Sequence, residues 1–267
     1  MTVTASSPTF DSSPKRYARV LSIAGSDSGG GAGIQADLKT CAALGCYGMT
    51  AITAITVQNT LGVTGIHGIP LNTVRDQIDA VVSDIGVDAV KIGMLATPEV
   101  VSVVADAIRR HQLTNVVLDP VMVATSGDRL IVPETAQALV SELFPLATVI
   151  TPNLDEAALL LGRSIDGIPA LDAAVADLLA LGAPSVLLKG GHLNGDVVMD
   201  VLGLQGQTAG DYLRLQSQRI VTHNGHGTGC TLSSAIASFL AQGLPLAQAV
   251  TEARRYILGA IEAGADV

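Results

Sequence analysis

A cysteine stands at the start of a helical pattern near the carboxyl end, directly after the glycine-rich segment GHGTG (225–229). Gly227, Thr228, Gly229 and Cys230 would form the first turn, so their backbone N–H groups have no partner within the helix. Such N–H groups and the positive end of the helix dipole bind anions, and the same position lowers the pKa of a cysteine thiol. An ordinary capped helix with a small buried cysteine explains the pattern equally well. The segment therefore predicts either an anion site beside a thiolate or a helix cap.

A second candidate site is formed by oxygen-bearing side chains that follow two predicted strands. Asn153 and Glu156 form an N-x-x-E pattern at a strand-to-helix turn, and Asp119 ends the preceding strand. Hard oxygen ligands of this kind suit Mg²⁺, which usually keeps several of its waters. Taken alone, Asn153 and Glu156 are more typical of a helix capping pair. With Asp119 beside them, we expect the three residues to hold Mg²⁺, largely through water.

Two single residues at other strand ends have side chains suited to binding. Lys189 precedes two glycines and would approach a phosphate as a point charge, although a strand-end lysine is otherwise simply solvated. Gln58 carries a hydrogen-bond donor and an acceptor side by side, which suits a ligand edge that presents the complementary pair. The alternative interpretation is that Gln58 is simply an exposed loop residue at the end of a strand.

The first glycine-rich segment, AGSDSGGGAGIQADL (24–38), follows a strand and opens a helix, as nucleotide loops do. It does not match G-x-G-x-x-G, because position 34 is Ile34, and the nearest lysine, Lys39, lies outside any Gly-Lys-Ser/Thr pattern. A turn that lets strand and helix pack closely is the simpler interpretation. The segment is neither a dinucleotide fingerprint nor a Walker loop.

The elements that must position these residues alternate between strands and helices. Short β-branched or aliphatic runs are separated by segments with apolar residues three and four apart, which predicts a mostly parallel sheet with helices on both faces. Residues 196–220 lack a helical period and predict an antiparallel hairpin before the last two helices. Ligands of such sheets bind beyond the carboxyl ends of the strands, so the candidate residues are expected at one rim. The predicted strands are 19–25, 49–58, 88–94, 115–122, 147–153 and 185–191.

Composition limits the class of protein. Of the 267 residues, 48% are hydrophobic and 15% charged, and the net charge is −9, which offers no basic patch for a nucleic-acid backbone. No apolar run approaches the roughly 18 residues needed to span a membrane. Three cysteines without C-x-x-C spacing argue against a disulfide framework or zinc site, so we expect a cytoplasmic protein. We interpret residues 1–17, rich in Ser and Pro, as a flexible leader, and 18–267 as a single domain.

Seven segments carry a resemblance to a known family. They are SIAGSDSGGGAGIQADLKT, ITAITVQNT, KIGM, LDPVMVATSGD, TPNLDEAALLLG, LLKGGH and HGTGCTLSSAIA. In order and spacing they are similar to the hydroxymethylpyrimidine/phosphomethylpyrimidine kinases of thiamine biosynthesis, in the ribokinase-like superfamily, from about residue 20 to 260. The resemblance implies a ribokinase-like three-layer α/β/α sandwich with a mostly parallel central sheet. It also implies ATP with Mg²⁺ and two successive phosphorylations of 4-amino-5-hydroxymethyl-2-methylpyrimidine, first to the monophosphate and then to the diphosphate.

The resemblance also assigns roles to residues. Cys230 matches the family's catalytic position and would act as general base, beside the N–H groups of the glycine-rich segment. Gln58 would read the pyrimidine, and we expect Asp37 to be a polar residue on the pocket side or, failing that, a helix-surface charge. The implied assignments are as follows: Cys230, Gly227, Thr228 and Gly229 for catalysis; Gln58, Gly25, Ala32, Val57, Met94, Val121 and Asp37 for the substrate; Lys189, Asp119 and Asn153 for ATP and phosphate; Asn153, Glu156 and Asp119 for the metal.

Two other functions compete with this one. A pyridoxine/pyridoxal kinase would use the same scaffold, although QNT (58–60) favours the pyrimidine kinases. A non-catalytic metabolite-binding protein would not need Cys230, Asp119 and the N-x-x-E pair together. The resemblance further implies a homodimer and a small-molecule pyrimidine as partner, with neither nucleic acid nor membrane.

Overall fold

The fold is built on one mixed sheet of nine strands. A computed structural model describes residues 16–122, 130–191, 193, 195–222 and 224–265, so most of the predicted leader (residues 1–15) lies outside the described residues. The strand order is β3-β2-β1-β4-β5-β6-β7-β8-β9. The strands are β1 Arg19–Asp27, β2 Tyr47–Asn59, β3 Gly62–Gly68, β4 Ala89–Ile92, β5 Val116–Leu118, β6 Val149–Ile150, β7 Ser185–Leu188, β8 Val197–Leu204 and β9 Leu213–Gln218.

The six predicted strands are confirmed. They form the parallel centre of the sheet, in the spatial order β2-β1-β4-β5-β6-β7. The predicted antiparallel hairpin is also confirmed, as β8 and β9. One strand was not predicted. β3, with the sequence GVTGIHG, pairs antiparallel with the long β2. Its three glycines give it no alternating pattern, and it forms because β2 extends past the sheet centre and offers a free edge.

Helices cover both faces of the sheet. One face carries α1 Gly33–Ala43, α7 Thr228–Ala241 and α8 Leu246–Glu262. The other carries α2 Leu71–Asp84, α3 Pro98–His111, α4 Pro133–Ala138 with its continuation to Leu146, α5 Leu154–Leu161 and α6 Leu171–Ala180. The predicted three-layer α/β/α sandwich is confirmed. No helix among the described residues is both long and apolar enough to span a bilayer.

Each central strand contributes to both cores, because successive side chains point to opposite faces. In β5, Val116 and Leu118 join the larger core under α2–α6, whereas Val117 joins the core under α1, α7 and α8. Lys91 interrupts the apolar pattern of β4 and is nevertheless completely buried. A buried lysine requires a counter-charge, and that requirement leads to the active site.

Candidate active site

The carboxyl ends of the parallel strands open into one cavity of about 550 Å³. Side chains from both halves of the sheet line it, together with the start of α7. The cavity therefore lies at the rim predicted from the strand ends. The predicted site residues that line it are Gly25, Ala32, Gln58, Met94, Asp119, Val121, Asn153, Glu156, Lys189, Gly227, Thr228, Gly229 and Cys230.

The first turn of α7 presents free N–H groups to the cavity. Gly227 is the N-cap and adopts a left-handed conformation (φ 79°). The N–H of Thr228 lies 3.4 Å from the carbonyl of Gly225. Within the part of the chain that the structure describes, the N–H groups of Gly229 and Cys230 have no hydrogen-bond acceptor. This is the geometry of an anion site at a helix start.

A buried ion pair lies next to that helix start. The Lys189 ammonium is 2.9 Å from Asp119 Oδ1, and Asp119 also accepts hydrogen bonds from Thr151 (3.1 Å) and Ser233 (3.1 Å). Burial alone would raise the pKa of Asp119, but the nearby lysine ammonium groups hold it below its usual value. A side chain at Gly229 would come within 3.3 Å of the Lys189 ammonium, so a glycine here keeps the space between lysine and helix open.

Asn153 and Glu156 form the capping pair that was the alternative to a metal site. The Asn153 side chain accepts from the Glu156 N–H (2.9 Å), and the Glu156 carboxylate accepts from the Asn153 N–H (2.8 Å). Burial raises the pKa of Glu156 to about 7, with Asp119 adding to the rise and Lys189 opposing it. Among the described residues, no three His, Cys, Asp or Glu side chains are grouped to hold a metal ion. Any Mg²⁺ here would depend on water and phosphate for most of its ligands.

The thiol of Cys230 does not have the lowered pKa that its position predicts. The side chain is half-buried, and burial raises its pKa. The carboxylates of Asp37 and Asp119 add to the rise, whereas the Lys91 ammonium and the Gly33 N–H oppose it. Loss of hydration is the largest of these influences, and together they raise the pKa of Cys230 above the usual thiol value.

Asp37 is not a pocket residue, and neither predicted alternative for it is correct. It is completely buried on the inner side of α1 and accepts hydrogen bonds from Ser22 (2.5 Å) and Ser234 (2.7 Å). Its main partner is the Lys91 ammonium at 2.9 Å. Lys91 itself lines the cavity and was missed. The signal was present in the sequence, because a charged residue in the middle of the apolar run DAVKIGM requires a buried partner.

The first glycine-rich loop is organised by Asp27, a strand-end residue to which the sequence assigns no specific role. Its carboxylate accepts the N–H groups of Gly29 (2.8 Å), Gly31 (3.1 Å) and Ala32 (2.8 Å). It also lies 3.0 Å from His226 Nε2. Because these N–H groups are satisfied within the loop, they are not free to bind a phosphate. The segment therefore does not offer free N–H groups to a phosphate as the G-x-G-x-x-G and Walker loops do, in agreement with its lack of either pattern.

One end of the cavity is lined by Gly25, Met94 and Gln58, which were predicted to contact the substrate. A side chain at Gly25 would come within 3.0 Å of the Met94 side chain, so the lack of a side chain at Gly25 leaves this part of the cavity wall flat. Val57 is not among the described residues that line the cavity, and it is 61% exposed. Side chains alternate along β2, which separates Val57 from the cavity-facing Gln58.

The other end of the cavity was not predicted. It is lined by apolar residues of the last helix and the β9–α7 connection, including Ile220, Ile257 and Ile261. At its base the Arg254 guanidinium lies 2.8 Å from Asp200 Oδ2, and Asp200 Oδ1 accepts the Gly190 N–H at 2.8 Å. The β8–β9 hairpin and α8 carry no motif that predicts their part in lining the cavity, since this wall of the cavity forms only when β8, β9 and α8 pack together.

Comparisons with known proteins bear on this geometry. A family model described as Phosphomethylpyrimidine kinase matches residues 27–267. The hydroxymethylpyrimidine/phosphomethylpyrimidine kinase of Rhizobium meliloti (strain 1021) is 54% identical over 244 residues, covering 91% of this chain and 90% of that protein. The thiamine biosynthesis bifunctional protein ThiED of Geobacter sulfurreducens is 51% identical over 242 residues, covering 91% of this chain and 49% of that protein.

Two solved structures are similar along nearly the whole chain. The phosphomethylpyrimidine kinase of Clostridium difficile 630 has a TM-score of 0.79 and 42% identity, covering 91% of this chain and 99% of that one. The pyridoxal kinase of Bacillus subtilis, solved as an ADP complex, has a TM-score of 0.84 and 41% identity, covering 93% of each chain.

We expect Gly227→Ala to abolish most of the phosphoryl-transfer activity. A methyl group there would overlap the Gly31 carbonyl and would also strain a left-handed backbone. Displacing the helix start by an ångström is expected to lower kcat roughly 100-fold. Gly243→Ala is the matched control, because Gly243 has φ +90° but faces open space. Similar kcat losses in both variants would show that backbone strain, and not the contact between the loops, is responsible.

Proposed function

The chain belongs to the phosphomethylpyrimidine kinase family and is a phosphotransferase, and on that premise we propose a two-step reaction for it. ATP phosphorylates the hydroxymethyl group of 4-amino-5-hydroxymethyl-2-methylpyrimidine, and a second ATP phosphorylates the resulting monophosphate to the diphosphate. The product serves thiamine biosynthesis. The observation that carries the proposal is the joint placement of a carboxamide, a helix-start anion site and a buried lysine around one cavity.

Phosphoryl transfer needs positioning and charge neutralisation more than covalent help. The Gly229 and Cys230 N–H groups and the Lys189 ammonium converge on one space, which suits the transferred phosphoryl group. ATP would lie with its base in the apolar end near Ile257, since an ADP complex of a similar kinase supports nucleotide use. The pyrimidine would lie at the opposite end, against Gly25 and Gln58.

Gln58 supports the pyrimidine over pyridoxal as substrate. An aminopyrimidine edge offers a donor next to an acceptor, which a carboxamide matches with two hydrogen bonds. The pyridoxal kinase among the similar structures makes pyridoxal the second candidate. Incubation with ATP, Mg²⁺ and each compound, followed by mass analysis of the products, separates the two. Phosphorylation of pyridoxal without pyrimidine turnover would overturn the proposal.

Cys230 is proposed as the general base of the first step, in which the substrate hydroxyl proton passes to sulfur as the oxygen–phosphorus bond forms. Only the thiolate accepts a proton, and the raised pKa of Cys230 makes the thiolate a minor species at neutral pH. The second step starts from an anionic phosphate and needs no base.

We therefore expect the ratio of the first-step kcat to the second-step kcat to rise about tenfold per pH unit below the thiol pKa, because ionisation of Glu156 affects both steps alike. Cys230→Ala is expected to remove the slope and to slow the first step more than the second. Steady-state rates with the alcohol and with the monophosphate, measured separately across pH, test this. Equal losses in the two steps would contradict the role of base.

Asn153, Glu156 and Asp119 are proposed to hold Mg²⁺ through water. When bound, the ion would neutralise charge on the ATP phosphates. The donor set fits, because all three residues supply oxygen and line the same part of the cavity as Lys189. The absence of a compact ligand cluster among the described residues fits an ion that keeps its waters.

Glu156→Gln tests the metal proposal. The amide can keep an oxygen for the capping contact with Asn153 but loses the negative charge that Glu156 carries above its pKa of about 7, so in assays at pH 8 the Mg²⁺ concentration for half-maximal activity is expected to rise about tenfold or more. Glu134→Gln, in the first turn of α4, is the charge-matched control. An unchanged Mg²⁺ requirement in Glu156→Gln would leave the residue as a helix cap only.

The chain is further proposed to form a homodimer, to fold as one domain from residue 18 onwards, and to reside in the cytoplasm. Support for the dimer is the apolar face of the β2–β3 hairpin, where Ile55 is 41% and Val57 is 61% exposed. The two side chains lie two residues apart and therefore share a face of β2.

We expect Val57→Lys to shift the protein to monomer, because a charge cannot be buried unpaired in an apolar interface. Sedimentation velocity measures the change. Leu159→Lys on α5, where the native leucine is 43% exposed, is the control and should leave the assembly unchanged. A monomeric wild type, or a dimer that survives the Val57 substitution, would refute this surface as the interface.

A further inference from the structure

The carboxamide of Gln58 lies between two side chains that contact its opposite ends. One end is 3.4 Å from His226 Nε2, and the other is 3.0 Å from Thr56 Oγ1. In the structure the amide nitrogen is at the His226 end and the oxygen at the Thr56 end. All three residues line the cavity.

The Nε2 proton of His226 and the hydroxyl proton of Thr56 each have an acceptor other than Gln58. His226 Nε2 lies 3.0 Å from the Asp27 carboxylate, which also accepts three N–H groups of the first loop. Burial would raise the pKa of Asp27, but the hydrogen bonds from His226 and the loop hold it low, so Asp27 is ionised and His226 Nε2 must carry a proton. The single hydroxyl proton of Thr56 has the Ser26 carbonyl as acceptor at 2.9 Å.

A protonated Nε2 has no lone pair, so His226 can meet Gln58 only through the one N–H that it shares with Asp27, whereas Thr56 Oγ1 keeps lone pairs that can accept from Gln58. With the amide nitrogen at the His226 end, two N–H donors therefore face each other. Half a turn about the last side-chain torsion of Gln58 interchanges oxygen and nitrogen in place and satisfies both contacts. Gln58 is matched to its neighbours in that orientation only.

We propose that His226, held by Asp27, is a positioning residue that fixes the Gln58 carboxamide oxygen on the α7 side and thereby sets the direction in which the aminopyrimidine binds. This rests on the function proposed above. The amino group of the substrate then meets the Gln58 oxygen, and the neighbouring ring nitrogen accepts from the Gln58 N–H on the Thr56 side.

This direction places the reacting group correctly. In 4-amino-5-hydroxymethyl-2-methylpyrimidine the hydroxymethyl carbon is attached next to the amino-bearing carbon, on the side away from the ring nitrogen. The hydroxymethyl group therefore projects past His226, towards Gly227–Cys230 at the start of α7. The opposite carboxamide orientation would turn it towards β1 and β2, away from the phosphate site.

The test uses two substrates of opposite edge polarity. The 4-oxo analogue presents a carbonyl and a ring N–H where the 4-amino compound presents an N–H and a ring nitrogen, so only a carboxamide free to rotate accepts both. We expect the ratio of kcat/KM for the amino compound to that for the oxo compound to fall roughly tenfold in His226→Phe, which lacks the N–H. His226→Gln, which restores an N–H at a similar distance, should retain most of the wild-type ratio.

Thr56→Val provides an independent second variant, since it removes the acceptor at the other end of the carboxamide without enlarging the side chain. It should lower the same ratio, and it decides the outcome if His226→Phe does not fold. Losses that are equal for the two substrates, with the ratio unchanged in both variants, would overturn the role of His226. Failure of the wild type to phosphorylate the amino compound would instead overturn the proposed function, and this inference with it.

Discussion

Two glycine-rich segments far apart in the chain must approach more closely than side chains permit, and the active edge of the sheet depends on that approach. The Gly31 carbonyl occupies the space that a side chain at Gly227 would need. A side chain at Gly31 would in turn come within 2.6 Å of the His226 ring. The turn after β1 and the turn before α7 therefore form one unit, which fixes the start of α7 against the sheet. Without that contact, the free N–H groups of α7 would have no defined position relative to Gln58 or Lys189.

Buried carboxylates link this unit to the rest of the rim. Asp27, Asp37, Asp119 and Asp200 each have a basic side chain from a distant part of the chain as partner, namely His226, Lys91, Lys189 and Arg254 respectively. Buried ion pairs contribute little net stability, because desolvation offsets most of the attraction. Their effect is on geometry, since removing either partner would leave an uncompensated charge in the interior. The three lysine and arginine pairs, together with the Asp27–His226 contact, join strands and strand ends to α1, to α8 and to the turn before α7, and hold both ends of the cavity in one arrangement.

The sequence predicts most of the strands and most of the cavity lining, and the same physical reasons explain which features it does not predict. Hydrophobic runs identify the parallel strands because both of their faces are buried, whereas the glycine-rich β3 has no such pattern and depends on the edge of β2. Strand ends identify most of the cavity lining, because topology alone brings them together. The direction in which a helical side chain points is harder to predict than the position of a strand end. Asp37 was wrongly placed in the pocket because α1 lies between the first loop and the core, and Asp37 points into the core. The direction of the pKa shift of Cys230 could not be predicted from its position at a helix start, since burial and two carboxylates brought near by packing raise it.

A neutral thiol at the start of α7 fits a site that meets both an alcohol and a phosphate. In the proposed first step the nucleophile is an uncharged alcohol, and only the minor thiolate fraction of Cys230 acts as base, taking a proton that leaves late in the reaction. In the proposed second step the nucleophile is an anion, and an ionised carboxylate at the same position would repel it in a site of low dielectric. A thiol whose pKa is raised by burial carries no charge at that stage, so no negative charge at position 230 would oppose the proposed contact between the Lys189 ammonium and the phosphate. The raised pKa that lowers the thiolate fraction available for the proposed first step would therefore favour the proposed second step in the same cavity.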